Sequence, residues 1–188
     1  NKQERGRAVF LQLDLSKFSS IDYFIKEFKS KYNKLDILVN NAGILIDEDD
    51  TSLDSEKLRQ TLEVNLIGTA RLTERLVPCI KKGGKIVMIS STAGSLSYAQ
   101  KGESHHPLHY PAYKISKAAL NMYTKLLAER LLLKVIIVSA VSPGWVKTDM
   151  GGQGAALSPE EAGSDIFDFA NKRPETGQFW HKGEKISF

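Results

Sequence analysis

Lys85-Ile86-Val87-Met88-Ile89-Ser90-Ser91 is a near-continuous apolar run that ends abruptly in two hydroxyls. A strand covered on both faces by helices reads this way, whereas a half-exposed strand alternates apolar and polar residues. Working outward from it, a second run of this buried type spans residues 135–141 and ends at Ser142-Pro143-Gly144. Upstream, Leu35-Asp36-Ile37-Leu38-Val39 runs into Asn40-Asn41-Ala42-Gly43, and the β-prone residues 7–15 contain an acid, Asp14, at the end of their apolar stretch.

Amphipathic segments lie between these strands. Ile21, Phe24, Ile25, Phe28 and Tyr32 follow a helical period, with Ser19 and Ser20 as candidate N-caps. Ser55 is the candidate cap for a helix over residues 58–76, whose inner stripe is Leu58, Leu62, Asn65, Thr69, Leu72 and Leu76. Asn65 is a polar residue on the face expected to be buried. Pro111 opens a helix with Ile115, Ala119, Met122 and Leu126 as its apolar stripe. Ser158-Pro159-Glu160-Glu161 is a capping box for a short helix to about residue 170, and Gly177-Gln178-Phe179-Trp180 is a candidate last strand. Strands alternating with helices predict βαβ units, hence an α/β doubly wound parallel sheet in a single Rossmann-like domain over residues 1–188.

Composition narrows the function classes. The chain has 188 residues, 41% hydrophobic and 26% charged, which suits one globular domain. Its net charge of +4 is scattered among acids, so a nucleic-acid or anionic-lipid surface is not indicated. The longest apolar run, residues 131–141, is broken by Lys134 and too short to cross a bilayer. Cys79 is the single cysteine, which excludes an internal disulfide and fits a reducing, cytoplasmic setting. His105, His106 and His109 lack the acidic or Cys pattern of a metal centre and read as a surface cluster.

The chemistry gathers at strand ends, where open α/β sheets bind ligands. Asp14, Asn40-Asn41-Ala42-Gly43, Ser90-Ser91 and Ser142-Pro143-Gly144 each close a strand, and each taken singly also serves as an ordinary turn. The helix beginning above that rim carries Tyr113-Lys114-Ile115-Ser116-Lys117, which places phenol and ammonium on one face. A phenol loses its proton near pH 10, and a nearby cation favours the phenolate, so the pair is expected to lower the Tyr113 pKa and to exchange a proton with an alcohol oxygen.

Together, Asn40-Asn41-Ala42-Gly43, Asn65 within Val64-Asn65-Leu66-Ile67-Gly68-Thr69, Ser90-Ser91-Thr92-Ala93-Gly94, Tyr113-x-x-x-Lys117 and Pro143-Gly144-Trp145-Val146-x-Thr148-Asp149-Met150 resemble the short-chain dehydrogenase/reductase family. The stretch through Gly151-Gly152, with Ser158-Pro159-Glu160-Glu161 and Gly177-Gln178-Phe179, is similar to its carbonyl reductase branch. The resemblance implies reduction of a small-molecule aldehyde or ketone by hydride from NADP(H), with NAD(H) as the other cofactor open. Tyr113 would be the general acid, Ser91 a hydrogen-bond donor to the reacting oxygen, and Lys117 the group tuning Tyr113 and binding the nicotinamide ribose. Asn65 would hold a relay water behind Lys117. Asp14 would meet the adenine, Asn40 and Gly43 would line the adenosine-ribose region, Val146 and Thr148 would contact the carboxamide, and Ala42, Pro143 and Gly144 would also bind the cofactor. An oxidative dehydrogenase on a polyol or steroid, and a non-catalytic nucleotide-binding regulator or truncated isoform, are the alternatives. Both monomer and homodimer remain open.

Two departures from the family pattern set further expectations. No Gly-x-x-x-Gly-x-Gly precedes Asp14, so a βαβ unit carrying the pyrophosphate cradle is expected ahead of residue 1. Leu131-Leu132-Leu133 passes into Lys134-Val135-Ile136 with no Gly, Asn or Pro to turn the chain, so a short missing loop is expected there.

Overall fold

The computed structural model describes residues 8–101 and 109–188. Its described residues form one sheet in the order β1 (Leu35–Asn40), β2 (Ile80–Ile89), β3 (Ile137–Ser142), β4 (Gln178–His181) and β5 (Glu184–Ile186). The strands from β1 to β4 pair in parallel, and only β5 runs antiparallel, returning from β4 through Lys182-Gly183. Both turn residues have positive φ, the signature of a tight two-residue hairpin. This closing hairpin strand is not among the sequence expectations.

The side-chain alternation of β2 divides the core. Ile86 and Met88 pack with Val138, Leu120, Leu127 and Leu131 on one face, while Val87 and Ile89 pack with Val141 and Ala170 on the other. Helices α1 (Phe18–Lys31), α3 (Thr69–Leu76) and α5 (Pro111–Leu131) therefore cover one side, and α6 (Pro159–Asn171) covers the other. The doubly wound parallel architecture expected from the buried-type strands is present. The capping box is also formed, with Ser158 accepting from Glu161 N–H and the Glu161 carboxylate accepting from Ser158 N–H.

Several local expectations are corrected. Residues 8–14 contain no strand, because among the described residues no strand lies in register beside them, and a strand exists only through its ladder. Ser20 does not cap α1; its hydroxyl accepts from Asp14 N–H at 2.9 Å and anchors the preceding turn. Asp54, not Ser55, caps α2 (Ser55–Leu62), accepting from Lys57 N–H at 2.8 Å. After Ser91 the chain forms a 3-10 turn, Thr92–Gly94, and a short helix α4, Leu96–Lys101. His105 and His106 lie outside the described residues, and His109 contacts the Glu48 carbonyl at 3.2 Å.

The largest correction concerns α5. Its expected apolar stripe faces out: Ile115 is 41% exposed, Met122 61% and Leu126 57%. The buried face instead carries Ser116, Lys117, Leu120, Asn121 and Thr124 with Leu127, Ala128 and Leu131. Four of the nine residues it buries are polar: Lys117 and Asn121 reach strand-end and loop groups, while Ser116 and Thr124 bond backbone carbonyls of the helix itself.

The reversal from α5 into β3 is closed by the residues present. A 3-10 turn, Leu132–Lys134, leads to Val135 at φ 58°, left-handed backbone that a β-branched residue rarely adopts. Dispensing with Gly or Asn is thus expected to cost local strain. Val135 is 47% exposed, so its side chain adds little burial to offset this. Replacing it by Gly relieves the strain, and Val135→Gly is expected to stabilise the fold by about 1 kcal/mol net of the glycine entropy term. A denaturant midpoint that stays or falls in Val135→Gly contradicts the strain assignment.

Candidate active site

The site is assembled where β2 and β3 end. Ser91, immediately after β2, takes an extended conformation and caps the 3-10 turn by accepting from Ala93 N–H at 3.1 Å. Ser142 ends β3, and its hydroxyl accepts from Thr92 N–H at 3.2 Å, tying the two loops side by side. Beneath them, Ser90 donates to Asn121 Oδ1 at 2.6 Å, and Asn121 Nδ2 donates to the Gly94 carbonyl at 3.1 Å. The sequence reading missed Asn121; its buried position on the polar face of α5 was concealed by the apolar stripe opposite. Gly94 lies so close to α5 that a Cβ there would sit 2.6 Å from Ala118 N and Lys117 backbone carbon. A glycine is therefore required for the Ser91 turn to lie against the helix bearing Tyr113.

Three of the expected groups meet. The Tyr113 phenol lies near the Ser91 side chain, whose polar influence acts to lower its pKa. Lys117 Nζ lies 5.5 Å from the centroid of the Tyr113 ring and donates to the Ile89 carbonyl at 2.8 Å. Asn65 joins from the other side, in a π-helical segment, Glu63–Gly68, between α2 and α3. Such a widened turn re-aims a side chain without ending the helix. Its Oδ1 accepts from Ile44 N–H at 2.7 Å, and Nδ2 donates to the Ile44 carbonyl at 2.9 Å and to Ser116 Oγ at 3.0 Å. Both amide donors are thus committed to holding Ile44 and Ser116, which accounts for a buried polar residue here.

Gly43 sits where these groups converge: a Cβ on it would lie 3.3 Å from Asn65 Oδ1 and 3.4 Å from Lys117 Nζ. Gly43, Ala42 and Ile44 line a cleft of about 400 Å³ with Leu13, Asp14, Leu15, Ser16 and Val64. Asp14 is in that wall, but its carboxylate is engaged by Ser16 N–H at 3.0 Å, Ser16 Oγ at 2.6 Å and Lys17 Nζ at 3.0 Å, which hold it below the usual carboxylate range. Asn40 is not in the wall. Its side chain turns inward, donating to Thr73 Oγ1 at 2.9 Å and towards Met88 Sδ at 3.2 Å. Pro143, Gly144, Val146 and Thr148 follow β3 on the same rim, with Gly144 at φ 94° and Val146 bridged to Leu157.

Electrostatics depart from the expectation drawn from spacing. Burial pushes the Tyr113 phenol up to about 12, only partly countered by the nearby Ser91 side chain. Burial likewise pulls the Lys117 ammonium down to about 8. The cation does not depress the phenol in this arrangement, because desolvation penalises both charges and Lys117 directs its ammonium at a backbone carbonyl.

The short chain dehydrogenase family model matches residues 1–156, and the chain belongs to this family. It is 34% identical over 142 residues to a dehydrogenase/reductase SDR family protein 7-like of Drosophila melanogaster, covering 74% of this chain and 41% of that relative. It is 30% identical over 189 residues to carbonyl reductase (NADPH) 1 of Bos taurus, covering 81% of this chain and 68% of that one. Among solved structures, the NADPH-bound carbonyl reductase from chicken fatty liver superposes with TM-score 0.84 at 26% identity, over 96% of this chain and 77% of that chain. The carbonyl reductase Sniffer of D. melanogaster does so at 0.82 and 28%, over 95% and 77%.

The buried lysine has a consequence for stability. Its folded pKa, about 8, lies below the ordinary 10.5, so between those values the unfolded chain binds more protons. Stability should therefore rise with pH from about 8 to about 10, by at most about 3 kcal/mol. Tyr113 acts oppositely, its folded value of about 12 removing stability only above the ordinary 10. Denaturant unfolding across this range is expected to show the rise in the native chain and its loss in Lys117→Met. A native profile that is flat from pH 8 to 10 counts against the buried ammonium.

Proposed function

We propose that this chain carries the catalytic centre of an NADPH-dependent carbonyl reductase that converts a small-molecule aldehyde or ketone to an alcohol. The observation that carries the reading is the gathering of Ser91, Tyr113 and Lys117 at the ends of parallel strands, with Lys117 Nζ 5.5 Å from the centroid of the phenol ring and the turn after Ser91 pressed against the helix that bears both. NADPH supplies the hydride when bound. The cleft beside Gly43 fits its adenosine side in being walled by small residues, Ala42 and Gly43, with Leu13 and Val64 as apolar surface. Pro143, Gly144, Val146 and Thr148 are the residues assigned to its nicotinamide end, and Asp14 borders the adenine. Asn40 contributes by holding the end of β1 against α3.

Tyr113 gives its proton to the substrate oxygen while Ser91 donates a hydrogen bond to the same atom. A phenol held at about 12 keeps its proton throughout the neutral range, as a general acid requires. The Lys117 ammonium, held beside the phenol ring by the Ile89 carbonyl, is assigned to the nicotinamide ribose. Asn65 holds Ile44, and hence the Gly43 side of the cleft, against Lys117, and a relay water behind that lysine belongs to the same reading. The whole of residues 1–188 is taken as one domain of a cytoplasmic enzyme. Among the described residues no helix is long and apolar enough to cross a membrane. The exposed stripe of Ile115, Met122 and Leu126 supports the homodimer over the monomer.

Tyr113→Phe removes the proton and retains the ring. In the full chain it is expected to lower kcat for aldehyde and quinone reduction by at least about a hundredfold while leaving NADPH affinity within about twofold. Unchanged turnover would remove Tyr113 from its role. In the native enzyme, kcat/KM for NADPH is expected to fall above about pH 8 as Lys117 loses its charge, and a plateau extending past pH 10 would contradict that assignment.

A further inference from the structure

The helix that carries Tyr113 is not capped by its own N-cap side chain. That residue, Tyr110, is left-handed at φ 46° and provides no side-chain cap, and Pro111 at the first helical position has no N–H. The first backbone donors needing a partner are therefore those of Ala112 and Tyr113, which a cap side chain ordinarily takes. Both are met from 65 and 66 positions away in the sequence: Asp47 Oδ2 accepts from Ala112 N–H at 2.6 Å and, more weakly, from Tyr113 N–H at 3.4 Å. We infer that Asp47 is a positioning residue for Tyr113, its buried carboxylate acting as a long-range cap that sets the first turn of α5 and so the placement of the phenol against Ser91.

Asp47 is 1% exposed, and its Oδ1 is buried without a hydrogen-bond partner among the described residues. Packing alone does not account for a half-satisfied buried carboxylate, which is costly wherever an apolar or amide group would serve. The positive end of α5 compensates it, through the short charge-assisted bond from Ala112 N–H. The loop bearing Asp47 is itself fixed. Asn65 grips Ile44 at one end, the Asp50 carbonyl accepts from Tyr110 N–H at 3.0 Å, and the Glu48 carbonyl meets His109 at 3.2 Å. One continuous segment thus runs from Gly43, beside Lys117, to the cap under Tyr113, and the loop dictates where the helix begins.

This inference rests on Tyr113 being the proton donor, and its test separates the two. Asp47→Ala and Asp47→Asn are made in the full chain beside Tyr113→Phe. Amide hydrogen exchange is expected to quicken at least about tenfold at Ala112 and Tyr113 in Asp47→Ala, with the amides of residues 120–131 unchanged. Turnover per NADPH-binding site should fall about ten- to a hundredfold with both KM values within about twofold, as small misplacement of a reacting group produces. The solvent deuterium isotope effect on kcat should rise, because proton delivery becomes the slow step, which a general loss of folding would not cause. Asp47→Asn keeps an acceptor oxygen and should return kcat to within about fivefold of the native value and restore most of the protection. Native exchange at Ala112 in Asp47→Ala, or a lower kcat with an unchanged isotope effect and no rescue by Asn, overturns the inference. Should Asp47→Ala not fold, Asp47→Leu, similar in size and without an acceptor oxygen, takes its place: faster Ala112 exchange and lower kcat with a raised isotope effect support the inference, and native values overturn it. If Tyr113→Phe keeps turnover, the proton-donor reading fails, while the exchange measurement still reports whether Asp47 caps α5.

Discussion

Everything at the strand ends depends on how closely the turn after β2 lies against α5. Gly94 leaves no room for a side chain between the two backbones. That approach is secured by Asn121, which reaches from α5 to the Gly94 carbonyl and accepts from Ser90. Ser91 meets Tyr113 because the glycine and the asparagine fix the turn. The same constraint explains why the buried face of α5 carries Lys117 and Asn121: they meet backbone carbonyls and a hydroxyl whose hydrogen bonds must be completed.

Burial then sets the electrostatics. The phenol and the ammonium are both pushed towards their neutral forms, so neither charge is favoured in advance. A proton donor suits this state, since it must hold its proton until a reacting oxygen arrives. The Ile89 carbonyl that receives Lys117 belongs to β2, so the ammonium is placed by the sheet while the phenol is placed by the helix. Packing of α5 against the sheet couples the two, and their spacing follows from that packing as much as from their separation along the helix.

Strain and partial satisfaction occur at two places with different explanations. Val135 is left-handed because a helix must reverse into a strand within a few residues that include no glycine. Asp47 leaves one carboxylate oxygen without a partner among the described residues because its other oxygen serves the start of α5. The first is a cost of connection, remote from the strand ends. The second lies directly beneath Tyr113, where a small displacement of the helix would be felt by the phenol.

The sequence alone determined the layering and much of the rim. Continuous apolar runs such as residues 85–89 require cover on both faces, and the capping box at Ser158 marks a helix whatever surrounds it. Local chemistry of this kind is written in neighbouring residues. The tertiary structure decided which face of α5 is buried, because Ile115, Met122 and Leu126 keep an apolar period whether or not anything covers them. It decided that Asn40 points inward to Thr73 while Gly43 and Asp14 share a cleft wall. It decided the protonation balance of Tyr113 and Lys117, since desolvation depends on what surrounds a group and not on its spacing. Asp47, one acid in an acidic loop to the eye, became the cap of a helix 65 residues away because long-range contacts leave no periodic trace in the chain.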